Sequence, residues 1–340
     1  MNICHLTTTH PANDARIQRE RHSSELGCHC TTLFEGIAPG YPKWQHPFKI
    51  FDLATRAFAR KSEMYHCHEP DALGIALFLK ALRGSRVIYD VHEHWPSELP
   101  RDLGAPAWLS RIIDPVERWL AQRADAVIVV SESVGHRFPN AIVLPNYPDP
   151  LPPQSLDNDI PLRSFSIIGA KLHTYHIQNG LDAVTRLQTH WPETRLTLVG
   201  TLASPLPVDA PITYTGYLAQ SVIPPVLRQA GVGLVLMSPE YENIRIGLPN
   251  RLFSYMAAGI PVIASALPEI ERIVAETSCG VLVQPDDIDE IVEAAFWLDE
   301  HPTEAREMGE RGRQAVASRY NWHAVEDKLY KCLTDLVEKE

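Results

Sequence analysis

The sequence predicts an α/β protein built of two doubly wound domains. Short apolar segments alternate with longer amphipathic ones, as in consecutive βαβ units with parallel strands. The 340 residues suffice for two domains of about 150 residues each. Five prolines between positions 145 and 153 interrupt the alternation and suit a stiff linker. We therefore expect domains at residues 1–150 and 151–320, with a terminal helix in 321–340 that packs back toward the N-terminal domain.

The first domain opens with an apolar strand followed by an amphipathic helix. Asn13 or Asp14 is placed to cap this helix, and Gly27 is placed to end it. The other elements follow from the same alternation of apolar and amphipathic segments. Predicted strands cover 2–8, 30–34, 49–53, 64–68, 86–91, 126–130 and 141–144, and predicted helices cover 15–26, 72–82, 107–122 and 132–137.

The second domain repeats this alternation after the proline-rich linker. Sheets of this kind bind ligands at the carboxyl ends of their strands, and paired domains bind them in the cleft between the two. Predicted strands cover 165–168, 195–199, 212–215, 232–236, 261–264 and 280–283, and predicted helices cover 180–187, 222–229, 252–258, 269–275, 288–299, 303–318 and 322–337.

The composition excludes several classes of protein. A formal charge of −11 argues against nucleic acid as a partner, because such binders rely on clustered basic residues. The six cysteines are too scattered for a disulfide scaffold, and no G-x-G-x-x-G follows a predicted strand, which disfavours a dinucleotide oxidoreductase. The N-terminus lacks the basic region of a signal peptide, and the apolar runs are far shorter than the ~20 residues of a membrane span. The sequence predicts a soluble, cytoplasmic protein.

The most informative segment runs from residue 240 to residue 265. A polar loop containing Gly247 and Pro249 leads into a predicted helix, whose first turn exposes free backbone N–H groups. Such a helix start attracts phosphate through its dipole and its unpaired donors. An ordinary loop–helix–strand unit would have the same pattern, so this segment alone leaves both interpretations open.

Residues 248–264, Leu-Pro-Asn-Arg-Leu-Phe-Ser-Tyr-Met-Ala-Ala-Gly-Ile-Pro-Val-Ile-Ala, resemble the donor-site segment of GT-B-fold, retaining family 4 glycosyltransferases. The subgroup they resemble most makes bacterial polysaccharides. Further segments resemble the family in the expected order: 8–17, 65–71, 87–93, 126–131, 144–146, 196–200 and 214–217. The resemblance implies two Rossmann-like domains that face a central cleft. It also implies sugar transfer with retention from a UDP- or GDP-linked donor, without a metal or other cofactor.

The resemblance places the donor on the C-terminal domain. Gly216 and Tyr217 would present backbone groups to the base, and Gly169 and Lys171 would contact the diphosphate. Cations and aligned N–H donors there would stabilise the charge that develops on the leaving diphosphate. The other donor-binding residues that the resemblance implies are Gly200, Asn243, Pro249, Asn250 and Arg251.

The chain departs from the family pattern at the donor site. Ser254 replaces the glutamate that would hold the ribose hydroxyls, and a hydroxyl is a shorter and weaker acceptor. The family's other glutamate has three candidate counterparts, Glu240, Glu242 and Asn243. Asn179 lies in a segment where a second diphosphate-binding cation is expected, and Arg245 is a candidate to supply that charge. These departures leave two interpretations open: altered donor binding or lost activity.

The resemblance places the acceptor on the N-terminal domain. His92 follows an apolar strand and would contact the donor sugar as a catalytic residue, together with Glu242 and Arg245 from the other domain; a packing histidine is the alternative. Glu93 would orient a ring or bind acceptor. The other acceptor-binding candidates lie in the first loop: His10, Asp14, which would otherwise only cap a helix, and Arg16, which would otherwise only form a salt bridge.

Histidines are concentrated in the first half of the chain, which holds ten of the fifteen. His66 and His68 share one face of a predicted strand and could chelate a cation. Zinc ligands that are close in sequence are usually separated by two or more residues, whereas these pairs are separated by one. We therefore predict no metal site.

The sequence does not identify the acceptor, and the resemblance allows either a glycan or a lipid-linked acceptor. The stretch Tyr41–Lys49, with Arg56, Arg60 and Lys61, combines aromatic and basic residues. It suits either peripheral contact with anionic lipid or an ordinary solvated surface. Two other functions stay open: a non-catalytic GT-B chain that supports another transferase, and a nucleotide-sugar epimerase on the same fold. Nucleotide binding tests the former, and product analysis tests the latter.

Overall fold

The computed structural model describes residues 1–12, 14–37, 42–98, 106–149, 161–206, 209–219, 222–240 and 242–338. The chain forms two compact units. Unit 1 comprises Met1–Asn146 and Val325–Glu340, and unit 2 comprises Tyr147–Ala324. Asn13, Tyr41 and positions 150–153 of the predicted linker lie outside the described residues. Within the described part of the chain, no helix is long and apolar enough to cross a membrane.

Unit 1 is a parallel sheet covered by helices. Its strands lie in the order β2-β1-β3-β4-β5-β6, so the strand order reverses between β1 and β3. The strands are β1 (Asn2–Thr7), β2 (Thr31–Gly36), β3 (Met64–Cys67), β4 (Arg86–Val91), β5 (Ala126–Val129) and β6 (Ile142–Val143). The helices are α1 (Ala15–Cys28), α2 (His46–Arg60), α3 (Pro70–Arg83), α4 (Ala107–Ala121) and α5 (Glu132–Gly135), and the C-terminal α13 (Glu326–Val337) packs against α1.

Helix α1 does not end at Gly27, as the sequence predicted; it continues to Cys28, and His29 adopts the left-handed conformation that ends it. The reason for a glycine at position 27 is a close contact with α13. A Cβ there would lie 2.3 Å from Cε1 of Tyr330. Gly27 therefore lets the C-terminal helix approach α1 closely.

The strand predicted at 49–53 is wrong, because these residues lie inside α2. Leu53 and Ala57 are buried at helical spacing, whereas Phe51 is 72% exposed. A short apolar run does not by itself distinguish a strand from a segment of helix. Here the pattern over the whole of 46–60 has the helical period.

Unit 2 is a second parallel sheet, in the order β12-β11-β10-β7-β8-β9, with its reversal between β7 and β10. The strands are β7 (Phe165–Leu172), β8 (Leu196–Leu202), β9 (Ile212–Gly216), β10 (Val232–Val235), β11 (Val262–Ser265) and β12 (Gly280–Val283). The helices are α6 (Thr174–Leu187), α7 (Ile223–Ala230), α8 (Glu242–Ile246), α9 (Asn250–Ala258), α10 (Pro268–Thr277), α11 (Ile288–Glu300) and α12 (Pro302–Ser318).

Two elements of unit 2 differ from the sequence prediction near the candidate site. Strand β7 continues to Leu172, so Gly169 and Lys171 lie in the strand and not in a loop. Its pairing with β8 shifts register between Ile168 and Lys171, which separates this extension from the buried part of the strand. The predicted polar loop also contains the short helix α8.

Candidate functional site

The donor-binding candidates of unit 2 gather at one edge of its sheet. Lys171 lies near the end of β7, and Gly216 ends β9, with Tyr217 directly after it. Gly200 lies in β8 between them, and α9 follows β10, the neighbour of β7 on the other side. The sheet therefore brings these residues to the carboxyl ends of adjacent strands, from the switch point at β7 out to β9. Open α/β sheets bind ligands outside the carboxyl ends of their strands at such a point.

Gly169 and Gly200 touch through their backbones. A Cβ at position 200, where φ is +135°, would lie only 1.8 Å from the carbonyl oxygen of Gly169. Only glycine fits this position. A Cβ at position 169 would lie 3.9 Å from Nη2 of Arg251, so the guanidinium of Arg251 lies beside this bare backbone. The cation of Arg251 therefore lies beside backbone that carries no side chain of its own.

Helix α9 begins at this place. Pro249 is its N-cap residue, with extended backbone angles, and Asn250 and Arg251 form its first turn. Proline is favoured near helix starts, where its fixed φ is compatible with the turn. The sequence correctly predicted a helix here. Its first N–H groups have no i→i−4 partner within the helix, and that of Leu252 donates to the carbonyl of Pro249 at 3.1 Å.

Tyr255 holds α9 on the sheet, a role that the sequence did not predict. Its hydroxyl accepts a hydrogen bond from the amide of Ile168 at 3.0 Å and donates one to the carbonyl of Ser166 at 2.9 Å. A Cβ on Gly233 would lie 2.4 Å from the Tyr255 ring, so β10 needs a glycine beneath it. The sequence signal for this contact was a tyrosine inside an apolar helical run together with a glycine in a buried strand. A buried hydroxyl needs a partner.

The positions that depart from the family pattern all have partners within the unit. Ser254 Oγ lies 3.4 Å from the carbonyl oxygen of Asn250, one turn earlier in α9. Asn179 donates to Asp286 Oδ1 at 2.6 Å. Arg245 makes two hydrogen bonds to Glu242, at 2.6 and 2.8 Å, on the exposed side of α8.

The remaining predicted donor residues are exposed or half-buried. Tyr217 is 75% exposed beyond β9, and Lys171 is also exposed. The carbonyl oxygen of Asn243 approaches Gly247, where a Cβ would lie 2.4 Å from it. Gly247 therefore lets the chain turn tightly between α8 and α9.

The predicted residues of unit 1 also meet at a switch point, between β1 and β3. Glu69, which follows β3, accepts hydrogen bonds from the loop after β1: from the hydroxyls of Thr7 and Thr9 and the amide of Thr8, at 2.7–2.8 Å. The same loop places His10 3.2 Å from Asp14 and 3.6 Å from Glu69. Burial lowers the pKa of His10, but these two carboxylates outweigh it and raise that pKa.

Asp14 and Arg16 have clear structural roles. Asp14 caps α1 by accepting hydrogen bonds from the amides of Arg16 and Ile17. Arg16 is 2% exposed, and its Nε and Nη2 donate to both oxygens of Asp90, at 2.9 and 2.8 Å. This buried ion pair links α1 to β4.

Asp90 in turn holds His92. Nε2 of His92 lies 2.8 Å from Asp90 Oδ2 and 3.0 Å from Nδ1 of His68. The His92 ring centre is 4.6 Å from that of His10, so β4 and the first loop bring two histidines together. Glu93, the next residue, is exposed. The sequence correctly expected these residues at the ends of strands, but it gave Asp90 no role.

Beneath these histidines lies a buried group of possible cation ligands that the sequence only partly indicated. One ligand atom from each of Glu20, His66, His68 and Asp90 lies within 4.8 Å of the others. The guanidinium of Arg16 lies 2.9 Å from Glu20 Oε1 as well as bonding Asp90, so the chain itself already supplies a positive charge. These four residues could accept a metal ion only beside that cation.

Burial sets the protonation states in this group. It lowers the pKa of His66 to about 4 and that of His68 well below its usual value. Burial, together with the charge of Asp90, raises the pKa of Glu20. Asp90 is buried as well, but Arg16 and His92 outweigh the effect of burial and hold the pKa of Asp90 well below the usual range. Burial in this group therefore favours neutral imidazoles and the protonated form of Glu20, whereas Asp90 is ionised and paired with Arg16.

Comparison with known proteins agrees with this architecture. A family model described as Glycosyl transferase 4-like domain matches residues 5–148, and one described as Glycosyl transferases group 1 matches residues 167–300. The MMP alpha-(1->4)-mannosyltransferase of Mycolicibacterium hassiacum is 24% identical over 302 residues, covering 82% of this chain and 72% of that protein.

Solved structures share the fold at low sequence identity. Sucrose-phosphate synthase from Thermosynechococcus elongatus superposes with a TM-score of 0.74 at 15% identity and full coverage of both chains. HepE of Anabaena, solved with UDP and glucose, gives 0.72 at 13% identity, covering 98% of this chain and all of HepE. With the two family models and the mannosyltransferase relative, these similarities show that the chain belongs to the GT-B-fold glycosyltransferases of the family 4-like type.

Proposed function

We propose that this glycosyltransferase moves a sugar, with retention and without an obligatory metal ion, from a UDP- or GDP-linked donor to a glycan or lipid-linked acceptor. Surface polysaccharide or glycoconjugate synthesis is the setting we propose. The observation that carries the proposal is the junction in unit 2, where the bare backbone of Gly169 and Gly200, the cation of Arg251 and the start of α9 meet.

This junction has the chemistry that a nucleoside diphosphate needs. The first-turn N–H groups of α9, at the positive end of the helix dipole, and the charge of Arg251 both favour an anion. Lys171 adds a second cation from β7. When the bond from the sugar to the diphosphate breaks, negative charge grows on the leaving group, so donors already in place lower the barrier. Tyr255 keeps them in place by tying α9 to β7.

Unit 1 carries the residues that we propose bind the acceptor and the reacting sugar. His10, His92 and Glu93 lie at the carboxyl ends of β1 and β4, where we place the acceptor and the reacting sugar. The hydrogen bond to Asp90 orients the His92 imidazole, and ionised Asp90 is itself held by Arg16. Two carboxylates, Glu69 and Asp14, hold His10. A rigid pair of imidazoles is suited to accept and position sugar hydroxyls.

Two relatives support the choice of substrates. HepE is described in complexes with UDP and with UDP-glucose, and the curated relative is a mannosyltransferase. The first agrees with a nucleotide-sugar donor and the second with transfer of a sugar, and the choice between UDP and GDP stays open.

The direct test is donor turnover with product analysis. The purified chain is incubated with UDP-glucose, UDP-galactose, UDP-N-acetylglucosamine and GDP-mannose, and release of UDP or GDP is followed with and without EDTA. Proton NMR then gives the anomeric configuration of the first sugar product. We expect release with one donor class, unchanged by EDTA, and a first product that keeps the donor's configuration.

Each alternative gives a different result in this assay. An epimerised nucleotide sugar without release of UDP or GDP would identify an epimerase. Nucleotide binding without turnover of any donor, or no nucleotide binding, would favour a non-catalytic chain. Inversion of configuration would contradict retention, and loss of turnover with EDTA would contradict metal independence.

A further inference from the structure

Three helices of unit 1 form one continuous layer on a single face of its sheet. Right-handed crossovers place α2, α3 and α4 on the same face, because the connections from β2 to β5 all advance in one direction along the strand order. The contacts agree, since α2 packs against α3 and α3 packs against α4. Helices α1 and α13 pack together on the opposite face.

The outer side of this layer exposes large apolar side chains. On α2, Phe48 and Phe51 are 69% and 72% exposed, and on α3 Phe78 is 60% exposed. Monomeric soluble proteins rarely expose contiguous apolar patches of this kind, and such patches mark protein or membrane interaction sites. The other large apolar side chains exposed on this layer or its immediate ends are Trp44, Phe58, Leu82, Trp108, Ile112, Val116 and Trp119.

Helix α4 carries an apolar stripe on its exposed side. Trp108, Ile112, Val116 and Trp119 repeat at helical spacing and form this stripe, and all four are exposed. On its inner side α4 buries Ala121 and Glu117, and Glu117 accepts from the hydroxyl of Tyr89 and pairs with Arg137. The polar contacts of Glu117 therefore hold α4 on unit 1 while Trp108 and Trp119 stay exposed.

The same layer is basic, although the chain is acidic. Helices α2, α3 and α4 together contain seven Lys or Arg against four acidic residues, in a chain of net charge −11. One of the four acidic residues is the buried Glu117. Two guanidiniums lie on aromatic rings: Arg83 is 3.8 Å from the centre of Phe58 and Arg123 is 3.4 Å from that of Trp119.

We propose that the layer of α2, α3 and α4 binds the surface of an anionic lipid membrane. Exposed Trp and Phe insert at the boundary between headgroups and acyl chains, while Lys and Arg reach back to the phosphates. The charge decides between occupants. A second copy docked by two-fold symmetry would oppose the same basic residues, which repel one another. An anionic lipid surface complements the layer, and it repels the acidic remainder of the chain.

Vesicle sedimentation tests this proposal without any sugar transfer, so its failure is distinguishable from failure of the proposed function. The full chain is mixed with vesicles of phosphatidylcholine alone or with phosphatidylglycerol added. We compare F48S/F51S and W108S/W119S with L26S, which changes a residue of α1 that is 61% exposed on the opposite face. All five positions are exposed, so their thermal unfolding should match the wild type and verify folding.

The expected result is binding to the phosphatidylglycerol vesicles that weakens at about 1 M salt. Each double variant should bind about tenfold or more weakly, and L26S should bind like the wild type. Equal binding by all variants, or no binding to anionic vesicles, would overturn the proposal. So would a lipid-free dimer, seen by sedimentation equilibrium, that both double variants abolish, since the layer would then bind a second copy.

Discussion

The hydroxyl of Tyr255 ties helix α9 to strand β7, accepting from the amide of Ile168 and donating to the carbonyl of Ser166. These bonds join the start of the candidate phosphate-binding helix to the strand that carries Gly169. The two elements are distant in sequence and meet through this one buried side chain.

Replacing Tyr255 by Phe tests this connection. Y255F leaves a buried amide without its acceptor, so we expect it to lower the free energy of unfolding by about 1–3 kcal/mol. Chemical denaturation measures this loss, and Y214F, which removes an exposed hydroxyl from β9, is the control. Equal stability of Y255F and Y214F would mean that the Tyr255 hydroxyl does not hold α9.

Glu20 and Asp90 should respond differently when their carboxyls become amides. Burial and the charge of Asp90 raise the pKa of Glu20 and so favour its protonated form, which E20Q imitates in charge and size. D90N leaves the guanidinium of Arg16 without its bidentate partner. We expect D90N to cost about 3–5 kcal/mol of unfolding free energy and E20Q to cost much less. Similar losses in the two variants would contradict a protonated Glu20.

The buried imidazole of His66 should make the protein sensitive to acid. Its pKa is about 4 in the folded chain, below the ordinary value of 6.5, so the unfolded chain binds the proton more strongly. The stabilisation is complete above pH 6.5 and is lost as the pH falls toward 4. Between pH 7 and 4, the wild type should lose about 3 kcal/mol more unfolding free energy than H66Q. Parallel pH profiles for the two proteins would contradict a neutral His66.

Changing Ser254 to Glu tests whether the donor site has adapted to the shorter side chain. Ser254 is half-buried, and its hydroxyl lies against the carbonyl of Asn250, so a longer charged side chain must be desolvated without a partner prepared for it. We expect S254E to bind UDP or GDP more weakly by calorimetry. Tighter binding, with donor turnover only in the variant, would favour a chain that has lost activity.

Much of the fold could be predicted from sequence because its strands are buried apolar runs bounded by polar residues. Strands β4 and β12 lie at the residues predicted, since every position of such a run contributes to one pattern. The apolar run at 49–53 was misassigned as a strand because five residues are too few to distinguish the two-residue repeat of a strand from the repeat of about 3.6 residues of a helix. Gly27 was misassigned as the end of α1 because what requires a glycine there is the contact with Tyr330, about 300 positions later in the sequence.

The candidate site could be predicted only where chemistry is local in sequence. The start of α9 and the residues at strand ends carry local signals, such as Pro249 before a helix and His92 after an apolar strand. The burial of Glu20 and Arg16 has no such signal, because α1 is polar along most of its length. Their partners Asp90 and His66 come from β4 and β3, and only the sheet brings them together.

Calorimetric titration of UDP and GDP into the wild type, K171A, R251A and the double variant tests the central claim, that the β7–α9 junction of unit 2 holds the donor diphosphate. R195A is the matched control, because Arg195 is exposed at the opposite, amino end of β8 and its side chain bonds to Thr213 and Ile212 of β9. We predict that one nucleotide binds and that each site variant weakens it by about 1.5–3 kcal/mol, as expected for a lost hydrogen bond to a charged group. R195A should bind like the wild type, and an unchanged affinity in K171A/R251A would contradict the claim.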